Sequence, residues 1–232
     1  MTRSRTLKGP VRAVAATLAT LGLAACTVHP GSAALVGSES ITEEHVDDVA
    51  TALCAAQAGG AANGQAAQEL ASRSARQGAL DVLISSTLSR QFGESEGIEP
   101  DQEQLSAALA ANEQSISQLP AGEREVFRDT VRLYAEGQLM LIEIGRRELQ
   151  GKGTQNVTEQ QAVSEGTKLR NAWLAENVEV SVDPRYGEYA KGALLSKSGS
   201  LSVPVSSRAT DGDNADPSAG WVASLPASQK CS

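Results

Sequence analysis

Two long stretches of this chain carry apolar residues at helical spacing. The first runs from about residue 66 to 96 and holds Leu80, Leu83, Ile84, Leu88 and Phe92 as one continuous stripe. The second runs from Glu123 to about Leu149, with Val126, Phe127, Val131, Tyr134, Leu141, Ile142 and Leu149 as its apolar face. Residues at i, i+3, i+4 and i+7 share one side of a helix. Helical stability in a protein comes chiefly from burying such a face, so each stretch requires a partner of similar kind. Aromatic residues make up only 3% of the chain and alanine is abundant, so the expected core is small and aliphatic. The fold class predicted is mainly α.

The remaining segments fit around these two helices. Ala34-Leu35-Val36-Gly37 reads as a short strand ended by glycine. Thr42 then offers an N-cap, and Glu43 and Glu44 place negative charge at the positive end of a helix. In that helix Val46, Val49, Ala50 and Leu53 share a face, with Cys54 beside it, and Gly59-Gly60 is the expected stop. Gly78 weakens the middle of the first long helix, so a bend is expected there, and Gly97 ends it. Pro100 opens a helix with Leu105, Ala108, Leu109 and Ile116 as its stripe. Thr158 and Gln161 have the spacing of a capping box, opening a further helix with Val163, Leu169, Ala172 and Trp173. Val178, Val180 and Val182 alternate with polar residues, the pattern of a half-buried strand. That strand needs a partner, and Ala34–Gly37 is the expected one. Beyond Tyr189 the pattern fades, and residues 191–232 read as an extended, partly mobile tail in which Pro204 disfavours a strand.

The N-terminus is a leader. Arg3, Arg5, Lys8 and Arg12 precede an apolar run from Val14 to Leu23, the order of a secretory signal. The run is shorter than the ~20 residues of a membrane-spanning helix. Leu23-Ala24-Ala25-Cys26 resembles the lipobox of bacterial lipoproteins. That resemblance implies diacylation of Cys26, cleavage before it, and a tether over residues 26–33. An extracytoplasmic protein held on the cell membrane by its lipid follows. Residues 1–25 hold four basic and no acidic side chains, so cleavage takes the formal charge from -8 to -12. Such an acidic chain opposes nonspecific nucleic-acid binding. With Cys26 acylated, Cys54 and Cys231 are the only thiols left in an oxidising compartment, and a disulfide between them is expected. The rival arrangement leaves Cys54 a plain core residue and pairs Cys231 with another molecule.

The order of elements resembles the N-terminal chaperone domain of SurA, the PrsA foldases and the trigger-factor substrate-binding region. Ala34-Leu35-Val36-Gly37 with Ile41-Thr42 and Val46 is similar to the family's opening. Ala79 to Ile84 with Gly97-Ile98 is similar to its long helix, and Trp173-Leu174 with Val178-Glu179-Val180 to its closing helix and strand. Val182-Asp183-Pro184-Arg185-Tyr186-Gly187 resembles the ending of small lipoprotein relatives without an isomerase. The resemblance implies a multi-helix domain over residues 34–190, closed by a two-stranded pairing of its end segments. It departs from isomerase-bearing relatives in one respect: only 28 residues separate Leu149 from Val178. A parvulin domain cannot fit there, since domains need about 50 residues or more, and no histidine follows His45 to serve its active site.

The function expected is therefore a membrane-anchored holder of unfolded or partly folded exported polypeptides, without isomerase activity. The alternative is an envelope scaffold with one dedicated protein partner. Leu83, Phe92, Phe127, Tyr134 and Trp173 are the candidate client-binding side chains, though any one of them taken alone reads first as a core residue. Enzyme motifs are missing: there is no Gly-x-Ser-x-Gly, phosphate-binding glycine loop or paired histidine set. His29 and His45 are isolated, and neither a metal nor a cofactor is expected.

Overall fold

A computed structural model of the chain describes residues 30–62, 69–195, 203–214 and 216–231. Residues 1–25, read as a leader, and Cys26, Thr27, Val28 and His29 lie outside the described residues. The fold is mainly helical, with small antiparallel strand pairs.

β1 (Ser32–Val36) is the central strand of a three-stranded sheet. Ala33 and Ala34 are both fully buried, so the strand is covered on two faces and reads as an unbroken apolar run. β3 (Val180–Val182) pairs with it antiparallel, placing Ala34 opposite Val182 and Val36 opposite Val180. Gly37 N–H continues the ladder to Glu179 O at 2.9 Å. The expected pairing of the two end segments is present, but it is not two-stranded. β2 (Glu39–Thr42) adds a third strand on the other side of β1. Its first half is polar, and Gly37 at φ +61° turns the chain back into it.

α1 (Glu43–Ala62) starts as its sequence requires, with Thr42 Oγ1 accepting from His45 N–H at 3.1 Å. It runs through Gly59 and Gly60 instead of stopping there. α2 (Ser72–Ser95) begins six residues later than periodicity alone indicated, and Gly78 does not interrupt it. Its stripe of Leu80, Leu83, Ile84 and Leu88 is the centre of the core, at 2% exposure or less. α3 (Gln102–Gln118) opens on Asp101, whose side chain accepts from Gln104 N–H, so Pro100 precedes the first turn instead of occupying it.

α4 (Arg124–Gly151) and α5 (Glu159–Asn177) cross closely, and two glycines decide how. A Cβ on Gly145 would collide with the Ala162 carbonyl and Gly166 N, and one on Gly166 with the Leu141 carbonyl. Backbone therefore touches backbone at this crossing. α4 meets α2 in a similar way, with Gly137 against Ser86 and Ser89 and Gly93 against Met140. The buried faces consequently differ from the apolar stripes. α4 buries Thr130, Ala135, Gly137, Met140, Leu141, Ile142, Ile144 and Gly145, while Tyr134 is 50% exposed. α5 keeps its capping box, but its inward face is Ala162, Gly166, Arg170 and Leu174, not the Val163–Leu169–Ala172–Trp173 face.

After β3 the chain forms a hairpin of β4 (Glu188–Ala190) and β5 (Ala193–Leu195). Lys191 and Gly192 both have positive φ in its turn. The described part of the tail also has regular structure, in α6 (Ser207–Asp213), α7 (Ala219–Ala223) and a 3-10 turn at Ala227–Gln229. Trp221 holds the two short helices together: its indole N–H donates to Arg208 O at 2.9 Å, and its ring covers Gly212. Val203 and Val205 are largely exposed, with no strand partner among the described residues. The tail returns to the domain through Cys231, disulfide-bonded to Cys54 with a Cα–Cα distance of 5.2 Å. Lys230 pairs with Glu69, and Arg73 donates to the carbonyls of Gly212 and Asn214.

Candidate functional site

The five side chains read as a client surface do not lie together. Leu83 is 2% exposed, in the middle of the main core cluster. Phe127 and Tyr134 sit on the outer part of α4, half-buried and exposed respectively. Phe92 and Trp173 do meet, with ring centroids 5.5 Å apart and planes tilted by 44°. They are two walls of a groove of about 410 Å³, completed by Ile98, Ile144 and Leu169, with Glu96, Arg147 and Glu148 at its rim.

Each wall is placed by local chemistry. Phe92 lies in the last turn of α2, where Gly97 at φ +66° reverses the chain so that Ile98 N–H bonds Gly93 O at 2.9 Å. That turn folds Ile98 beside Phe92. Ile144 stands next to Gly145 on α4, so the close crossing with α5 brings Leu169 and Trp173 against it. α5 is further located by Arg170, a buried cation at 6% exposure. Its Nη1 donates to Ser89 Oγ at 3.0 Å and Ser85 O at 3.3 Å, and its Nη2 to Asn171 Oδ1 at 3.0 Å. Burial lowers the Arg170 pKa, and Tyr189 and Asp81 partly oppose this. Removing such a buried donor set leaves its acceptors unpaired, so Arg170 acts as a strut between α5 and α2. The arrangement leaves the half-buried Trp173 and Leu169 at the surface over a buried Phe92; it contains no nucleophile paired with a base.

Ile98, Ile144 and Leu169 were not among the candidates. Leu169 carried an apolar-face signal and Ile98 followed a helix stop, but neither signal distinguishes a groove wall from a core residue.

A second cavity, of about 430 Å³, lies where α1, the start of α2 and the tail converge. Glu43, Asp47, Arg76, Arg185, Tyr186 and Trp221 are among its lining residues. Its charges answer one another: Arg76 Nε lies 2.7 Å from Asp47, and Arg185 Nη2 bonds Glu43 at 2.6 Å and Asp183 at 2.8 Å. The hydrogen bonds from Arg185 hold the Asp183 carboxyl below its usual range, and the same bond raises Arg185. Arg73 also lines it and donates, among the described residues, only to the backbone carbonyls of Gly212 and Asn214; most of the cavity's other charges are paired, and the apolar groove is taken as the candidate.

Among the described residues, no group of three or more His, Cys, Asp or Glu side chains could hold a metal ion. His45 is exposed at the start of α1. No helix among the described residues is long and apolar enough to cross a membrane. No protein-family model matches the chain, and no curated protein or solved structure is similar to it at a significant level.

Proposed function

We propose that this chain is a membrane-anchored extracytoplasmic protein that holds unfolded or partly folded exported polypeptides and does not isomerise prolines. The observation that carries this reading is the recess where the half-buried Leu169 and Trp173 lie over the buried Phe92, Ile98 and Ile144, with charged residues at its edge. A partly exposed aromatic such as Trp173 is a feature a holder of unfolded chains can use, since such chains differ from folded ones in their uncovered apolar side chains. Two further observations support it. The resemblance of Leu23-Ala24-Ala25-Cys26 to a lipobox supports a position at a membrane surface on the exported side. The interval between α4 and β3 is filled by α5 and its flanks, leaving no segment from which an isomerase domain could be built.

The test is suppression of light scattering by several unrelated thermally denatured proteins. The natively processed chain is expected to delay aggregation of each at near-stoichiometric ratio, and Trp173→Asp to lose most of that effect. A chain that protects none of them, yet pulls down one envelope protein reproducibly, would be the dedicated scaffold instead. Turnover of a proline peptide above the uncatalysed rate would overturn the second half of the proposal.

A further inference from the structure

The end of the domain nearest Cys26 also carries the most exposed large apolar side chains among the described residues; the inference rests on the reading of Cys26 as the acylated residue. Cys26 is four positions before Pro30. A fully extended chain covers at most about 3.6 Å per residue, so the anchor lies within about 14 Å of Pro30. Gly31 is fixed to the domain, its carbonyl accepting from Glu43 N–H at 2.9 Å at the start of α1. α2 starts at this end too: Arg76 meets Asp47 of α1 at 2.7 Å, and Gln77 Nε2 donates to Tyr186 O at 3.0 Å. The last turns of α2 lie beside the far end of β1, where Gln91 Nε2 donates to Val36 O at 3.3 Å and Arg90 pairs with Glu39 at 2.6 Å. α2 thus runs away from the anchor. At 1.5 Å per residue it carries Phe92, with Trp173 packed on it, about 28 Å beyond Arg73.

The C-terminal tail is fastened at this same end. Cys231 is bonded to Cys54 and its N–H donates to Leu70 O at 2.9 Å, while Arg73 holds the carbonyls of Gly212 and Asn214 at 2.6 and 3.0 Å. Glu43 of α1 and Trp221 of the tail line one cavity of about 430 Å³, so the tail sits beside the residues that follow the anchor. Trp221 also borders a second hollow, lined with Val203, Val205 and Leu225. Val203 is 83% and Val205 95% exposed, against 50% for Tyr134 and 46% for Leu195. Apolar side chains exposed singly need no explanation. Two of them, on either side of the half-buried Pro204 and close to a lipid anchor, call for one. Charge does not supply the attraction, since residues 203–231 hold Arg208 and Lys230 against Asp211, Asp213 and Asp216.

We infer that the tail is a second membrane contact: Val203 and Val205 enter the interfacial layer of the phospholipid bilayer that holds the acyl chains of Cys26. An acyl anchor and a protein surface acting together hold a chain on a bilayer more firmly than either does alone. Two contacts also fix an orientation, where a single tether allows tumbling. The tail and the starts of α1 and α2 face the bilayer, and the domain stands with the far end of α2 about a helix length out from it. Leu169 and Trp173 are then presented to the surrounding compartment and not to lipid.

The chain's two tryptophans report on its two ends. Trp173→Phe leaves Trp221 in the tail, and Trp221→Phe leaves Trp173 at the far end of α2. The natively processed chain of each variant, with diacylation of Cys26 checked by mass, is added to phosphatidylcholine vesicles that carry a headgroup nitroxide as a short-range quencher. Trp221 emission should lose most of its intensity relative to nitroxide-free vesicles, and Trp173 emission should be unchanged. Val203→Ser together with Val205→Ser should restore most of the Trp221 emission. Both side chains are exposed, so that pair should leave the melting temperature unmoved. Half-molar salt should leave the quenching in place, because an apolar contact is not screened. Equal quenching of both tryptophans would show a domain tumbling on its tether, and no quenching of either a tail held off the bilayer. Quenching of Trp221 that survives the double substitution would show the reach of the tether alone, and quenching abolished by salt an electrostatic contact. Each of these four results overturns the second contact and leaves the lipid anchor standing. A processed chain without the acyl mass overturns the anchoring reading, and the inference with it.

Discussion

Alanine in place of Gly145 and alanine in place of Gly78 are the same chemical change in the same secondary structure, yet they should move stability in opposite directions. A Cβ at Gly145 would strike the Ala162 carbonyl and would lie 2.7 Å from Gly166 N and 2.8 Å from the Ala162 carbonyl carbon. All three are backbone atoms, which cannot rotate aside as a side chain can, so α5 must shift as a body. Overpacking of this kind belongs near the top of the usual range, about 3 kcal/mol. Alanine recovers about 1 kcal/mol of helix propensity relative to glycine. The net expectation is a loss of about 2 kcal/mol, or roughly 4–8 °C in midpoint for a chain of this size. At Gly78 a Cβ meets nothing within 4 Å. There only the propensity acts, and Gly78→Ala should gain about 0.5–1 kcal/mol, roughly 1–4 °C. Urea titrations followed by far-UV circular dichroism, with the disulfide kept oxidised, give both values on one scale. If Gly145→Ala proves as stable as the parent chain, or Gly78→Ala loses as much as Gly145→Ala, then the two positions do not differ as described.

The remaining predictions concern the chain's ends and its charges. Cys231→Ser should release the tail and lower stability by about 2–4 kcal/mol, less than the ~5 kcal/mol that chain entropy allows for a cross-link spanning 177 residues; mapping of unreduced peptides should recover a Cys54–Cys231 linked pair in the parent, and two free thiols or a covalent dimer would contradict it. Cys26→Ala should leave uncleaved precursor with no lipid label, and a variant processed and labelled like the parent would refute the lipobox. Asp183 has its native pKa depressed, chiefly by the hydrogen bond from Arg185, so the unfolded chain binds more protons than the native one between the two values. Its stabilising effect is present above the ordinary carboxyl range and is lost as pH falls through the native pKa. Asp183→Asn should therefore narrow its stability gap to the parent as pH drops from 6 to 2, and a gap that is constant with pH would show that the pairing contributes nothing.

Local chemistry was legible in the sequence because it acts within one or two turns. Thr42 and Thr158 cap the helices they were expected to cap, Gly97 ends α2, and the alternation at Val180 and Val182 required the partner that β1 supplies. The Cys54–Cys231 pairing was legible by elimination, since no other thiol remained once Cys26 was set aside. The third strand was not legible: Glu39-Ser40 has too little apolar character to signal a strand, and β2 exists because Gly37 turns it onto an edge of β1.

Periodicity locates apolar residues, whereas tertiary packing selects a face by how closely backbones can approach. On α5 the inward residues are Ala162, Gly166, Arg170 and Leu174. Two of these are small and one is charged, so no hydrophobic pattern marks them; the crossing at Gly145 and the buried bonds of Arg170 do. The same reason separates the five candidate side chains. Leu83, Phe92, Phe127, Tyr134 and Trp173 look alike as apolar positions on helices, and the sequence determined only that each would seek cover. Tertiary structure decided which were covered: Leu83 is enclosed in the main core, Tyr134 stays half exposed, and Phe92 is buried with the half-buried ring of Trp173 packed against it.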